Sequence, residues 1–161
     1  MKKLFLLSIA IFGFTFAASA QDISENAIGL RLGDSDGFGA EISYQRALSD
    51  SNRLELDLGL RSGKGYDGFK LAGLYQWVMP LDGAFNWFTG VGGGLGSYSF
   101  DNVAPGFDDS ETFFFVAGDI GIEYNFEIPL QLAIDARPEL GFGDFRDDLD
   151  FDIALSIRYR F

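Results

Sequence analysis

The 161-residue sequence contains no cysteine and no histidine. Without cysteine there can be no disulfide and no thiolate metal site. Without histidine the chain lacks the one side chain whose ordinary pKa makes it a general base near neutral pH. Basic residues are scarce, 12 Lys and Arg against 24 Asp and Glu, for a net charge of −12. That balance argues against nucleic acid as a partner, because phosphate binding needs clustered Lys and Arg. Beyond the N-terminus no apolar run approaches the ~18 residues of a membrane-spanning helix.

What is present is alternation, clearest in the last twelve residues. Phe151, Ile153, Leu155, Ile157, Tyr159 and Phe161 occupy the odd positions, and Asp150, Asp152, Ala154, Ser156, Arg158 and Arg160 the even ones. Successive side chains of a β-strand point to opposite faces, so this segment has one apolar face and one charged or small face. It runs to an aromatic as the last residue, where a chain frays unless tied down. A strand that seals a barrel is tied down on both sides.

The other end carries an address. Met1-Lys2-Lys3 is a short positive region, Leu4 to Ala17 is an apolar run, and Ala18-Ser19-Ala20 supplies small residues for cleavage before Gln21. This is the layout of a secretory signal peptide, and at about 14 residues the run is too short for a transmembrane anchor. Residues 1–20 are therefore expected to be a signal peptide and 21–161 a single domain. Removing Lys2 and Lys3 from the 12 basic residues leaves ten against 24 acidic.

Between these ends the alternation predicts eight strands: 26–33, 38–48, 53–61, 69–79, 85–100, 112–127, 130–140 and 150–161. The third is the cleanest, with Leu54, Leu56, Leu58 and Leu60 against Arg53, Glu55, Asp57 and Arg61. The fifth is the least clear. Placing Trp87, Thr89, Val91 and Leu95 on the apolar face puts Gly90, Gly92, Gly94 and Gly96 on the other, where they are expected to leave room for long Arg side chains. Arg46 falls on the apolar side of the second strand. Pro138, which cannot donate a ladder hydrogen bond, predicts a bulge or the barrel rim. Residues 62–68, 101–111 and 141–148 read as longer loops alternating with short turns, the pattern of a bacterial outer-membrane barrel whose short turns and termini face the periplasm.

A soluble eight-stranded barrel of the lipocalin type would put the apolar set inside. Here that set is nearly free of charge in every strand and carries aromatics at both ends. Tyr44, Trp77, Trp87, Tyr124, Phe126, Tyr159 and Phe161 lie by the short turns, and Phe38, Phe69, Phe114 and Phe151 by the loops. Rings at both interfaces suit a lipid-facing surface. The expected fold is all-β: an eight-stranded antiparallel up-and-down transmembrane barrel, monomeric, in contact with outer-membrane lipid and lipopolysaccharide.

Eight alternating strands, a signal peptide and the ending Leu155-Ser156-Ile157-Arg158-Tyr159-Arg160-Phe161 resemble the small outer-membrane β-barrel proteins of the OmpA/OmpX type. The resemblance implies that the final strand is read by the barrel-assembly machinery through Ile157, Tyr159 and Phe161. It implies nothing specific about activity.

Function is expected to turn on the interior and the loops. The inward set is Arg31, Glu41, Arg53, Glu55, Asp57, Arg61, Lys70, Asp119, Glu123, Asp135, Arg137, Glu139, Asp152, Arg158 and Arg160, with both signs in similar numbers. An eight-stranded barrel is only wide enough for its own side chains, so a packed plug of ion pairs is expected, with a narrow pore and then a soluble ligand-binding barrel as alternatives. Carboxylate pairs such as Asp147/Asp148 and Glu55/Asp57 could do acid–base work, but no nucleophile or oxyanion motif accompanies them. No enzyme, cofactor or catalytic residue is expected. Asp101, Asp108, Asp109 and Glu111 in one loop and Asp144, Asp147, Asp148 and Asp150 in another make an acidic rim that divalent cations could occupy, without EF-hand spacing. The expected role is envelope structure or surface interaction.

Overall fold

In the computed structural model, described here for residues 23–33, 39–100, 110–142 and 149–161, eight antiparallel strands close on themselves in sequence order. They are β1 (Asn26–Leu32), β2 (Ala40–Ala47), β3 (Asn52–Gly63), β4 (Tyr66–Asp82), β5 (Phe85–Phe100), β6 (Ser110–Asn125), β7 (Leu130–Phe142) and β8 (Leu149–Arg160). β1 pairs with β8 from Ala27↔Arg160 to Leu32↔Leu155. Hydrogen bonds between Asn26 and Phe161, in both directions, fasten the seam at the end where β1 begins and β8 finishes.

The register fixes the tilt. Starting at Ala27, the pairing passes through Gln45, Glu55, Leu74, Gly92, Ala117 and Glu139 to reach Asp150 on β8. Ala27 itself pairs with Arg160. One circuit therefore slips by ten residues. In a barrel, strand number and stagger together set the inclination, here about 40° from the axis.

The alternation sorts side chains as the sequence requires. Ile28, Leu30, Ile42, Leu56, Leu71, Val91, Val116, Ile120, Ile134, Ile153 and Ile157 stand outward and exposed, while charged and small residues, with Leu74, Val78, Phe88, Phe113 and Phe115 among them, fill the inside. Aromatic contacts gather at the short-turn end: Tyr75 with Trp77 at 5.0 Å, Tyr124 with Phe85 and Phe126 at 4.7 Å each, and Tyr159 with Phe161 at 6.2 Å between ring centroids. Phe69, Phe114 and Phe151 are exposed toward the other end; Phe38 lies outside the described residues, as do residues 1–22.

Several expectations need correction. The seven-residue loop at 62–68 is a tight hairpin in which only Lys64 and Gly65 turn. Gly65 takes φ +85°, a left-handed geometry that glycine adopts without strain. β3 and β4 therefore run longer than the pattern suggested, because Gly63, Gly65 and Gly68 dilute the alternation there. The loops at 101–109 and 143–148 lie outside the described residues. Pro138 is neither at the rim nor at a bulge. It sits inside β7, and the β6–β7 register is the same on both sides of it. Its ring occupies the space beside Gly118, where an added Cβ would come within 3.3 Å of it. The register shift falls instead on β4, between Pro80 and Asp82.

The wall is uneven. β4, β5 and β6 have 17, 16 and 16 residues, against 7 and 8 for β1 and β2. At the end opposite Asn26 and Phe161 the outward residues change from Leu60, Phe69 and Phe114 to Ser62, Asp67, Ser99 and Thr112. A sheet of β3–β6 thus extends past the apolar band.

Candidate functional site: the ionic interior

Thirteen of the fifteen charged residues expected inside are buried there. The exceptions are at the ends. Arg61 is exposed beside the hairpin, where its Nε donates to the Tyr66 hydroxyl at 3.1 Å. Arg160 is half-buried and donates to the carbonyls of Phe126 and Ile128 at 2.5 and 3.1 Å. Both lie past the point at which the barrel walls enclose a side chain. Their departure upsets the charge balance read from the sequence. Five cations, Arg31, Arg53, Lys70, Arg137 and Arg158, face eight carboxylates, Glu41, Glu55, Asp57, Asp119, Glu123, Asp135, Glu139 and Asp152.

Geometry compensates by giving each guanidinium more than one acceptor. Arg31 holds Asp135 through Nη2 at 2.6 Å and Nε at 3.1 Å, and through Nη1 it also holds Asp152 at 2.6 Å and Glu41 at 2.9 Å. These partners come from β7, β8 and β2, so one side chain on β1 ties together both sides of the seam. Arg137 bonds Asp57 at 2.7 Å and Glu55 at 3.0 Å. Arg158 reaches Glu55 at 3.1 Å and the Ser43 hydroxyl at 2.9 Å. Lys70 pairs with Glu139 at 2.6 Å. Arg53 meets Glu123 at 2.6 Å. Such forked contacts are the arrangement in which buried charge is tolerated.

Of these eight carboxylates, Asp119 has no cation in hydrogen-bonding contact among the described residues. Its Oδ2 accepts from Gln76 Nε2 at 2.5 Å, and Gln76 Oε1 accepts from Arg53 Nε at 2.6 Å. The glutamine amide relays between a guanidinium and a carboxylate. Asp119 Oδ1 and Arg137 Nε have no direct hydrogen-bond partner among the described residues.

Gly90, Gly92, Gly94 and Gly96 of β5 do face inward, which confirms the register assigned to that strand, but arginines do not occupy their space. Phenylalanines do. An added Cβ on Gly94 would lie 2.6 Å from the Phe115 ring and one on Gly96 would meet the Phe113 ring; on β6, Gly121 is covered in the same way by Phe88 of β5. Covering glycine with an aromatic from the neighbouring strand shields backbone that would otherwise lack packing. Phe113, Phe115, Leu74, Ala72 and Ala117 form one internal apolar cluster on β4–β6. Val78, Phe88 and Ala133 form a second at the short-turn end, with Ile23 packed against it. Lys70 Nζ lies 5.0 Å from the Phe115 ring and Arg53 Cζ 4.9 Å from the Phe88 ring, so cation–π contacts join both clusters to the charged layer. The inward Phe88, Phe113 and Phe115 were not singled out from sequence, although they share the parity of Asn86 and Asp119.

Glu55 and Asp57, the described acid–base candidate pair, both bind Arg137 within this network. Asp147 and Asp148 lie outside the described residues. So does most of the proposed acidic rim, of which Glu111 and Asp150 are described. Arg46, on the apolar side of β2, pairs with Glu25 at 3.0 Å at the barrel's end. No cluster of three or more candidate metal ligands occurs among the described residues.

A closed antiparallel barrel with an apolar exterior, aromatic ends and a charged, tightly bonded interior is the architecture of a transmembrane β-barrel. Comparison with solved structures finds the same fold. The N-terminal β-barrel domain of Pseudomonas aeruginosa OprF matches with a TM-score of 0.60 at 12% identity, covering 84% of this chain and 95% of that one. Neisserial surface protein A matches with a TM-score of 0.60 at 13% identity, covering 84% and 94%. At such identities the likeness is one of fold. No protein-family model and no curated protein sequence matches the chain.

Proposed function

We propose that this chain is an integral protein of the bacterial outer membrane, with its termini in the periplasm, and that it is a closed, non-catalytic barrel and not a pore. The observation that carries the reading is the position of the charge. Thirteen ionisable side chains are buried inside while isoleucine, leucine and phenylalanine cover the exterior. In water that arrangement is inverted, since it exposes apolar surface and removes charges from solvent. In a bilayer it is what the solvent demands.

Closure rests on the multiply bonded arginines and on the two apolar clusters above and below them. The working surface is then the β3–β6 sheet that extends past the apolar band, with the loops it carries, so the role is envelope structure or contact at the cell surface. Ile157 and Tyr159 on β8 and Phe161 just past its end are exposed. In this reading they are available to the machinery that assembles the barrel, and lipopolysaccharide is the neighbour on the extended side.

Planar-bilayer recording tests the closed interior. No steady single-channel steps are expected from the folded protein, and reproducible steps would replace the plug with a narrow channel. Membrane fractionation with heat-modifiable gel migration tests the location. A folded, detergent-free protein in the periplasmic extract would overturn it.

A further inference from the structure

The lipid-facing surface is not uniformly convex. On β5–β8 it carries an apolar groove of about 410 Å³, lined by Trp87, Ile120, Ile122, Ile134, Ala136 and Ile153, with the backbone at Gly121 and Asp135 contributing. The register explains it. Two rows of outward side chains cross these strands: Thr89, Ile120, Ala136 and Ile153 in one, Trp87, Ile122, Ile134 and Leu155 in the next. Ala136 stands between Ile120 and Ile153, so the surface drops by most of a side chain at that point. Four isoleucines form the walls. β-Branched side chains are stiff at χ1, so the groove is formed before anything enters it. Trp87 closes the end nearest the short turns, two residues from Phe85 and its ring contact with Tyr124, at the level where indole rings sit among headgroups.

We infer that this groove is a seat for one acyl chain of a membrane phospholipid, whose headgroup rests beside Trp87. The occupant follows from continuity with the lipid-facing band, because the groove opens onto the surface that lipid already covers. Its lining is apolar, which suits a methylene chain and offers no polar group for a sugar or phosphate. A chain lying in a preformed groove touches protein on several sides, whereas one on a convex surface touches it on one. The added dispersion contacts favour the seated chain. This inference rests on the membrane reading above, and its test separates the two.

The chain has two tryptophans, Trp77 and Trp87. Both point outward near the short-turn end, and only Trp87 lines the groove. Trp77→Phe and Trp87→Phe each leave one tryptophan as the reporter. The two proteins are folded into phosphatidylcholine vesicles containing a low fraction of phospholipid brominated on its acyl chains, and tryptophan emission is recorded. If the groove prefers a chain, mass action raises its occupancy above the bulk fraction, and Trp87 loses about twice the fraction of emission that Trp77 loses. Filling the groove with Ala136→Phe, in the protein retaining Trp87, is expected to remove the excess. Equal quenching of both tryptophans at every lipid fraction overturns the inference while leaving the membrane reading intact. Quenching of neither overturns the membrane reading itself. Quenching of Trp87 weaker than that of Trp77, with the difference vanishing on dilution of protein in the vesicles, assigns the groove to a second copy of the chain and also overturns the inference.

Discussion

Replacing Arg31 with methionine should destabilise the barrel at its seam. The guanidinium makes close contacts to Asp135, Asp152 and Glu41 and is fully buried. Methionine keeps most of the volume and removes the charge, so the effect isolates electrostatics from packing. Asp135 loses the partner of both its carboxylate contacts, while Glu41 retains Lys70 at 3.9 Å and Arg137 at 3.8 Å. Stranding a buried charge by deleting one partner costs about 3–5 kcal/mol. With a urea dependence of about 1–3 kcal/mol per molar, the midpoint should fall by about 2 M. The assay is urea unfolding in phospholipid vesicles, followed by tryptophan emission and by the shift of the folded band on a gel. The double variant Arg31→Met/Asp135→Asn should recover part of the loss, because the stranded carboxylate is gone. Arg46→Met is the control. Its pair with Glu25 is exposed on both sides, and such pairs contribute about 0–1 kcal/mol. Equal midpoints for Arg31→Met and Arg46→Met would refute the claim that the interior is held by its ion pairs.

Other outcomes follow from the same geometry. Ile42→Arg places a charge in the middle of the apolar band and should cost about 2–4 kcal/mol in a bilayer, measured by the same unfolding assay; a change under about 0.5 kcal/mol would mean that water reaches this face. Gly96→Val should destabilise by about 1–3 kcal/mol, because an added Cβ meets the Phe113 ring and lies 2.9 Å from the Phe69 carbonyl oxygen. Combining it with Phe113→Ala should restore part of that loss, and strict additivity would contradict the ring-on-glycine packing. Phe88→Ala removes the centre of the short-turn cluster and should lower stability by about 3–5 kcal/mol without opening conductance in a planar bilayer, since the arginine network above it remains.

The architecture was legible because it depends on a period of two. Each strand needs only to alternate, and Leu54 to Arg61 or Phe151 to Phe161 do so with few exceptions. The inward charges were legible for the same reason, since parity alone assigns Arg31, Glu55 or Arg137 to the lumen. Their partners were not. Arg31 and Asp135 are 104 residues apart, and what brings them together is the ten-residue stagger around the barrel, a sum of eight separate registers. Glycine hid two further features. At 63–68 it concealed strand as loop, and on β5 it suggested room for arginine where Phe113 and Phe115 lie. A glycine states that something approaches closely but does not say what. Pro138 misled in a similar way, because the missing donor suggested a bulge or the rim, whereas the β6–β7 ladder is only interrupted opposite Gly118, which accommodates the ring without a register shift.

The absence of native cysteine makes one measurement especially clean. A nitroxide attached through Val91→Cys, at mid-height on the outward face of β5, and another through Asp67→Cys, on the extended sheet, can be compared for collisions with oxygen and with a water-soluble nickel chelate in folded, vesicle-embedded protein. The label at 91 is expected to collide readily with oxygen and hardly with nickel, and the label at 67 the reverse. Ready access of nickel to position 91 would show water where this account requires lipid.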